Sequence, residues 1–186
     1  MAWPLKNQVN FKKHLLKFIN HIPDLKDLIS SVDLLLSSKG VFVFEEPYMG
    51  SMFAKVSYDQ IYDEHIFLFS LSSVKKIFEL FDFELIDAIP LNTHGGSMRY
   101  VIGRKNIHAV NKKVNEILDN EKINKLDDIS SCLKFKQDCE KSKEKTIKEV
   151  NKLKELGKRI CGYAATAKST ILLNYCKLDS ETIEYI

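Results

Sequence analysis

Glycine is missing from the first 39 residues of this chain: the first is Gly40, and the 186-residue sequence has only seven. A loop that wraps the backbone around a nucleotide cofactor needs glycine, because side chains oppose both the close approach and the required dihedral angles. The absence therefore excludes a glycine-rich cofactor loop from residues 1–39.

Closely spaced cysteines are missing as well. The four cysteines are Cys132, Cys139, Cys161 and Cys176, and no two of them form a C-x-x-C pair. Structural zinc sites are typically built from such pairs. The sequence therefore predicts no metal site, and we interpret the cysteines as small hydrophobic residues.

Long apolar runs and strong net charge are also absent. No stretch approaches the ~18 apolar residues of a membrane span, and the start, MAWPLKNQVNFKK, lacks the apolar centre of a signal peptide. The formal charge of +3 is too small to predict a nucleic-acid surface. With a hydrophobic fraction of 45%, the sequence predicts a folded cytoplasmic protein with no nucleic-acid or membrane partner.

Two short segments concentrate side chains that carry chemistry. Residues 58–65, YDQIYDEH, hold two tyrosines, three carboxylates and His65, and residues 93–97, THGGS, set His94 beside two glycines. Imidazole next to a carboxylate is a general-base arrangement, and a phenol can hydrogen-bond a carbonyl oxygen that becomes an enolate. By spacing alone the two segments are equally consistent with the end of an exposed element, so both interpretations stay open.

Four blocks of sequence together resemble the bacterial sugar-nucleotide C-methyltransferases, which act in deoxysugar pathways and depend on S-adenosylmethionine. The blocks are GVFVFEEPY (40–48), SYDQIYDEHIFLFS (57–70), PLNTHGGSMRYVIGRK (90–105) and GYAATAKSTILLNYC (162–176). They occur in the order that the family has, and the resemblance extends over residues 17–186. YDEH and THGGS are its most specific parts.

The resemblance implies methyl transfer to a carbon beside a ketone on a nucleotide-linked keto-deoxysugar. It implies that His65 is the catalytic base and that Glu64 orients it or shares the proton. It also implies that Tyr62 and His94 hydrogen-bond the ketone and hydroxyl groups, with the roles of the two histidines open to exchange. The substrate-binding residues that it implies are Tyr48, Ser97, Arg99, Tyr163 and Lys168, the last holding the diphosphate together with the turn before it.

The chain also departs from the family's pattern. Relatives usually carry GYGAPAKG where residues 162–169 read GYAATAKS, and alanine tolerates close backbone approach less well than glycine, which weakens the expectation of tight diphosphate binding. Relatives usually have asparagine where this chain has Lys17, four residues before His21, for which we favour a structural role. Because the matching starts near residue 17 without a glycine-rich loop, we interpret the chain as a piece of a methyltransferase, with a complementary cofactor-binding half as partner. A truncated product, a split enzyme and a gene remnant remain open.

Hydrophobic periodicity and capping residues predict the local structure. Helices are predicted at 24–37, 71–81 and 167–176, with two more inside 107–157 broken near 120–127. Strands are predicted at 41–44, 83–89, 98–104 and 159–165. The continuous apolar run 41–44 is typical of a parallel sheet, and residues 45–48 then leave the sheet at its carboxyl end, where ligands bind in such folds.

These elements predict an α/β fold: a partial Rossmann-like methyltransferase sheet, followed by a C-terminal α/β domain with a long helical connector. We divide the chain into a remnant of the S-adenosylmethionine-binding domain (1–56), a catalytic, acceptor-binding segment (57–106), and the helical connector with the start of a nucleotide-sugar-binding domain (107–186). The alternative to a C-methyltransferase is a non-catalytic sugar-nucleotide-binding or assembly protein derived from the same family.

Overall fold

The computed structural model describes residues 19–163 and 165–185. Lys17 and Ala164, both discussed above, lie outside this part. The helices are α1 (Leu25–Leu35), α2 (Met49–Lys55), α3 (Leu71–Glu79), α4 (Lys112–Ile123), α5 (Ile129–Glu155) and α6 (Ala167–Cys176). The strands are β1 (Val41–Pro47), β2 (Phe83–Leu91) and β3 (Ser97–Arg104), and short 3₁₀ turns cover Ile19–His21, Tyr58–Gln60 and Thr93–Gly95.

The three strands form an antiparallel sheet in the order β1-β3-β2. β3 lies in the middle, paired with β1 from Val41–Gly103 to Pro47–Ser97 and with β2 on its other side. The expectation of a parallel sheet around residues 41–44 is therefore wrong for the pairing of β1. A continuous apolar run is common in parallel sheets because their strands are buried on both faces, but burial by itself does not fix the direction of the neighbouring strand.

Aromatic side chains fill the core between the sheet and α3. The ring of Phe44 on β1 stacks on that of Tyr100 on β3 with centroids 4.8 Å apart, and Phe78 from α3 packs 5.8 Å from Phe44 on its other side. α3 presents Leu71, Val74 and Phe78 on one face because helical residues three or four apart share a face. Ser70 and Ser73 close a capping box at its start, which fixes where this helix begins.

The predicted pair of helices after residue 107 is confirmed as α4 and α5, with the break at residues 124–128. α4 is more than a solvated connector, because Val114 and Glu121 are buried. The Glu121 carboxylate accepts the backbone N–H groups of Leu71 at 2.6 Å and Ser72 at 2.9 Å. A carboxylate at the start of a helix stabilises it through both the unpaired N–H groups and the helix dipole, so α4 fixes the position of α3.

The predicted strand at 159–165 is wrong: residues 159–163 form neither strand nor helix. Two backbone hydrogen bonds join this segment to the end of the chain, from Glu184 to Ile160 at 3.0 Å and from Gly162 to Tyr185 at 2.8 Å. Two bonds give a contact too short to count as a strand. The predicted helix 167–176 is confirmed as α6, which packs against the Tyr58–Gln60 turn.

None of the helices in the described residues combines the length and apolar character that a membrane span requires.

Candidate active site

A cavity of about 270 Å³ opens where five segments meet: the Ile19–His21 turn, the end of β1, the segment from Tyr58 to His65, the Thr93–Gly95 turn and the start of α6. Five residues predicted from the sequence line it together: Tyr62, His65, His94, Ser97 and Lys168. The rest of its lining is Asn20, His21, Glu45, Glu46, Pro47, Gln60 and Thr93. Residues from both ends of the chain thus reach one polar cavity.

His65 is half-buried in the wall of this cavity, and its imidazole is held in one orientation. Its Nδ1 lies 2.8 Å from the backbone carbonyl of Gln60. A carbonyl only accepts hydrogen bonds, so Nδ1 carries the proton and Nε2 keeps its lone pair. Burial, the largest cause, lowers the pKa of His65, and His21 and Lys168 lower it further, against the opposing effects of Gln60 and Glu64. A neutral imidazole with a free Nε2 is the form that abstracts protons.

Tyr62 lies against the face of His65, with ring centroids 3.9 Å apart. Burial raises the pKa of its phenol, and the carboxylates of Glu64, Glu46 and Asp59 raise it further. The phenol therefore keeps its proton at neutral pH. It is able to donate a hydrogen bond to an oxygen close to His65, which is the property that the sequence predicted for it.

The THGGS loop reaches the cavity through an unusual backbone path. His94 has φ = 51°, and Gly95 and Gly96 have φ = 80° and 129°. A Cβ on Gly96 would lie 2.4 Å from the Cβ of Ser51, so only glycine lets this loop pack against α2. The glycine at position 96 therefore serves the close packing of the loop on α2.

Gln60 joins the two histidine segments. Its backbone carbonyl accepts from His65, and its side-chain Nε2 donates to the backbone carbonyl of His94 at 2.6 Å. Ser97 reinforces the loop, since its hydroxyl donates to the Thr93 carbonyl at 3.0 Å. The side chain of Gln60 is buried, with 2% of the residue exposed. One residue therefore sets the position of both candidate catalytic segments.

Glu46 is a buried carboxylate in the lining of the cavity. It is 2% exposed, and its Oε1 accepts the backbone N–H groups of Ile19 at 2.6 Å and Asn20 at 3.2 Å. The Asn20 carbonyl in turn accepts from the N–H of Ile66 at 2.8 Å, directly after His65. Burial raises the pKa of Glu46 to about 7, although the two backbone hydrogen bonds oppose the shift. Glu46 thus supports the backbone next to His65.

Lys168 brings a cation to the cavity from the first turn of α6. Its Nζ lies 4.0 Å from the Asp59 carboxylate, too far for a hydrogen bond, and has no hydrogen-bond partner among the described residues. Burial lowers the pKa of Lys168, and Asp59 opposes that shift. At the start of the same helix, the Thr166 hydroxyl oxygen accepts the backbone N–H of Ser169 at 3.2 Å. This N–H group is therefore not available to a phosphate.

Four residues predicted for the site lie elsewhere. The Tyr48 hydroxyl donates to Glu121 at 2.9 Å and lines a second cavity, between α2, α4 and α5. Arg99 is outside the lining and donates to Glu45 from the neighbouring strand at 2.6 Å. Glu64 and Tyr163 are exposed. The orientation predicted for Glu64 is provided instead by the Gln60 carbonyl.

Sequence reasoning did not assign six polar residues of the lining to the site: Asn20, His21, Glu45, Glu46, Gln60 and Thr93. Gln60 sits inside the SYDQIYDEH block and Glu46 at the predicted carboxyl end of a strand, so position gave a signal for both. Asn20 had no such signal, because its place depends on backbone contacts with Glu46 and Ile66.

Comparison with known proteins places the chain in a family. Residues 92–186, over half of the chain, match the family described as C-methyltransferase C-terminal domain. The chain belongs to this C-methyltransferase family. Residues 14–88 match a second family, described as methyltransferase domain. The cavity lies where these two matched segments meet: His94, Ser97 and Lys168 come from the C-methyltransferase match, and Tyr62 and His65 come from the other.

A curated relative extends the similarity along the chain. C-methyltransferase NovU from Streptomyces niveus is 28% identical over 166 residues, which is 89% of this chain and 40% of that protein. The chain thus spans less than half the length of this relative.

Proposed function

We propose that this protein acts in C-methylation of a nucleotide-linked keto-deoxysugar, by removing a proton from the carbon beside the ketone. The observation that carries the proposal is one cavity in which a neutral His65 with a free Nε2 lies beside a protonated Tyr62 and the cation of Lys168, whose Nζ has no hydrogen-bond partner among the described residues. Membership of the C-methyltransferase family supports the reaction class.

In the proposed reaction, His65 Nε2 takes the proton from the carbon and becomes an imidazolium. The electron pair of the C–H bond forms the enolate double bond, and the negative charge moves to the ketone oxygen. Tyr62 donates a hydrogen bond to that oxygen, and His94 contacts the sugar hydroxyls. Base catalysis of this kind contributes ~10²–10⁴-fold, and a positioned donor to the oxyanion contributes a comparable factor.

Lys168 is the residue that we assign to the diphosphate. It is the only lysine or arginine in the lining of this cavity among the described residues. Its Nζ has no competing hydrogen bond there. A cation that lacks a close partner in a polar cavity gains most from an anionic ligand, because burial has already removed part of its water.

S-adenosylmethionine is the methyl donor that the family implies. The described residues do not fit it by themselves: the cavity of about 270 Å³ falls below the ~300–1,000 Å³ of typical ligand sites, and no glycine is among the described residues that line it. The steps proposed here therefore concern proton removal alone, and the chain's own residues perform all of them.

Exchange of the acidic carbon proton with deuterated water, followed by NMR on a nucleotide-linked keto-deoxysugar, tests the proposal. His65→Ala should slow the exchange by roughly 100-fold or more, because the proton then has no positioned acceptor. Tyr62→Phe should also slow the exchange, by the value of one hydrogen bond to the developing oxyanion, about 2–4 kcal/mol of barrier at most. His94→Ala is the matched control and should weaken binding with little effect on the rate at saturation. Exchange that persists in His65→Ala and vanishes in His94→Ala would make His94 the base.

A further inference from the structure

Two amide side chains of residues that line the cavity have buried acceptor oxygens without a hydrogen-bond partner among the described residues. Gln60 is 2% exposed and Asn20 is 1% exposed, and both line the cavity beside His65. The Gln60 Oε1 and the Asn20 Oδ1 are buried without a hydrogen-bond partner among the described residues. A buried acceptor left unsatisfied costs about 1–3 kcal/mol, so such atoms are expected to meet a donor from water or from a ligand.

The orientation of the Gln60 amide is fixed by its surroundings. Its Nε2 donates to the backbone carbonyl of His94 at 2.6 Å, and the reversed amide would set two acceptors against each other. The oxygen must therefore be the unpaired atom.

Asn20 is held through its backbone instead. Its N–H donates to Glu46 at 3.2 Å, and its carbonyl accepts from Ile66 at 2.8 Å and Phe67 at 3.3 Å. None of these bonds uses the side chain. The backbone of Asn20 is therefore fixed in the wall, and its side-chain amide takes no part in these hydrogen bonds.

We propose that the side-chain oxygens of Gln60 and Asn20 accept hydrogen bonds from hydroxyl groups of the substrate. The cavity would then select a ketone that carries hydroxyl groups on its neighbouring carbons. Both oxygens accept one hydroxyl proton each, next to the imidazole that removes the carbon proton. The size of the cavity, about 270 Å³, suits a single sugar-sized group rather than a whole sugar nucleotide. The assignment rests on the proposed function for the identity of the substrate, and it adds the residues that determine specificity.

Three small ketones test the proposal without a nucleotide or methyl donor: acetone, hydroxyacetone and dihydroxyacetone. Their affinities for the full chain are measured by ¹H–¹⁵N NMR titration of the backbone and of the Asn20 and Gln60 side-chain amides. Each added hydroxyl should tighten binding about 3- to 10-fold, the net value of one hydrogen bond. The amide signals of both residues should move with dihydroxyacetone and stay in place with acetone.

Asn20→Ala is the main variant, because the backbone bonds of this residue survive the substitution. It should abolish the gain in affinity that one hydroxyl group provides and leave the affinity for acetone unchanged. If Asn20 had a purely structural role, the substitution would lower the affinity for all three ketones alike. Gln60→Met is the second variant and should remove the gain from the other hydroxyl. The matched controls are Asn115→Ala, at an exposed position of α4, and Gln137→Met, at an exposed position of α5.

Equal affinity of the wild-type protein for all three ketones, or no binding of any, would overturn the proposal and assign the two acceptors to water alone. Neither result depends on whether Asn20→Ala or Gln60→Met folds. Failure of the proposed function has a different signature, because it appears as a lack of carbon-proton exchange in a nucleotide-linked keto-deoxysugar.

Discussion

The Glu46 carboxylate accepts the backbone N–H of Ile19 at 2.6 Å, across 27 positions of sequence. The contact ties the end of β1 to the turn that carries Asn20 and His21. It also buries a carboxyl group, which raises the pKa of Glu46 to about 7 from the model-compound value of 4.5. Stability and pH are therefore linked through this residue.

The first prediction concerns Glu46→Gln. Between about pH 4.5 and 7 the folded protein keeps a proton on Glu46 that the unfolded chain releases, so the free energy of unfolding falls as pH rises through this window. The loss is on the order of 3 kcal/mol when complete. Glu46→Gln should remove this dependence, as measured by urea unfolding across the window. Glu116→Gln, an exposed change on α4, should keep it; identical pH profiles for the wild type and Glu46→Gln would contradict the prediction.

The second prediction concerns the hydrogen bond from Tyr48 to Glu121. Tyr48→Phe removes a bond to a buried carboxylate, so the free energy of unfolding should fall by about 1.5–3 kcal/mol. Glu121→Ala should cost more, because it also leaves the N–H groups of Leu71 and Ser72 without their acceptor. Tyr163→Phe, at a fully exposed position, is the control and should change stability little. If Tyr48→Phe instead weakens sugar-nucleotide binding at unchanged stability, Tyr48 belongs to the substrate site, as the sequence predicted.

The third prediction concerns the titration of His65. Its midpoint in an NMR titration should lie below the usual 6.5, because burial opposes the imidazolium. The active neutral form then persists to lower pH, and proton exchange from the substrate should decline only below that midpoint. Lys168→Met should raise the midpoint, since a positive charge that disfavours the imidazolium has been removed. A midpoint above 6.5 in the wild type would show that a nearby carboxylate dominates.

The fourth prediction concerns Lys168. Lys168→Met should weaken binding of uridine diphosphate and thymidine diphosphate by roughly 10- to 100-fold, the value of one hydrogen bond to a charged group. Calorimetry measures the effect, and Lys152→Met on the exposed face of α5 serves as the matched control. Unchanged affinity in Lys168→Met would place the diphosphate away from this cavity.

Local patterns predicted most of the elements. The helix at Leu71–Glu79 begins at a capping serine, and α4 and α5 separate in the predicted polar break. The pairing of β1 was not predictable from its apolar run, because the identity of the neighbouring strand depends on contacts with β3, some fifty residues later.

The candidate site, like the fold, was predictable from the sequence only in part. Tyr62 and His65 are three residues apart in sequence and in contact in space, so one motif contained both. Glu64 is one residue away from His65 yet exposed, because the 3₁₀ turn before it presents the Gln60 carbonyl to the ring instead. Spacing locates residue types; which of them points inward depends on backbone turns that form only in the folded chain.

The central position of β3 also sets an order of assembly. β2 and β3 join through a short connection, from Leu91 to Ser97, whereas Pro47 of β1 pairs with Ser97 only after a closure of fifty residues. A tenfold longer loop costs about 2 kcal/mol more in chain entropy. The β2–β3 hairpin should therefore nucleate, and β1 should join it late. Because Glu46 on β1 holds the Ile19–His21 turn, the cavity beside His65 would be completed late as this chain folds.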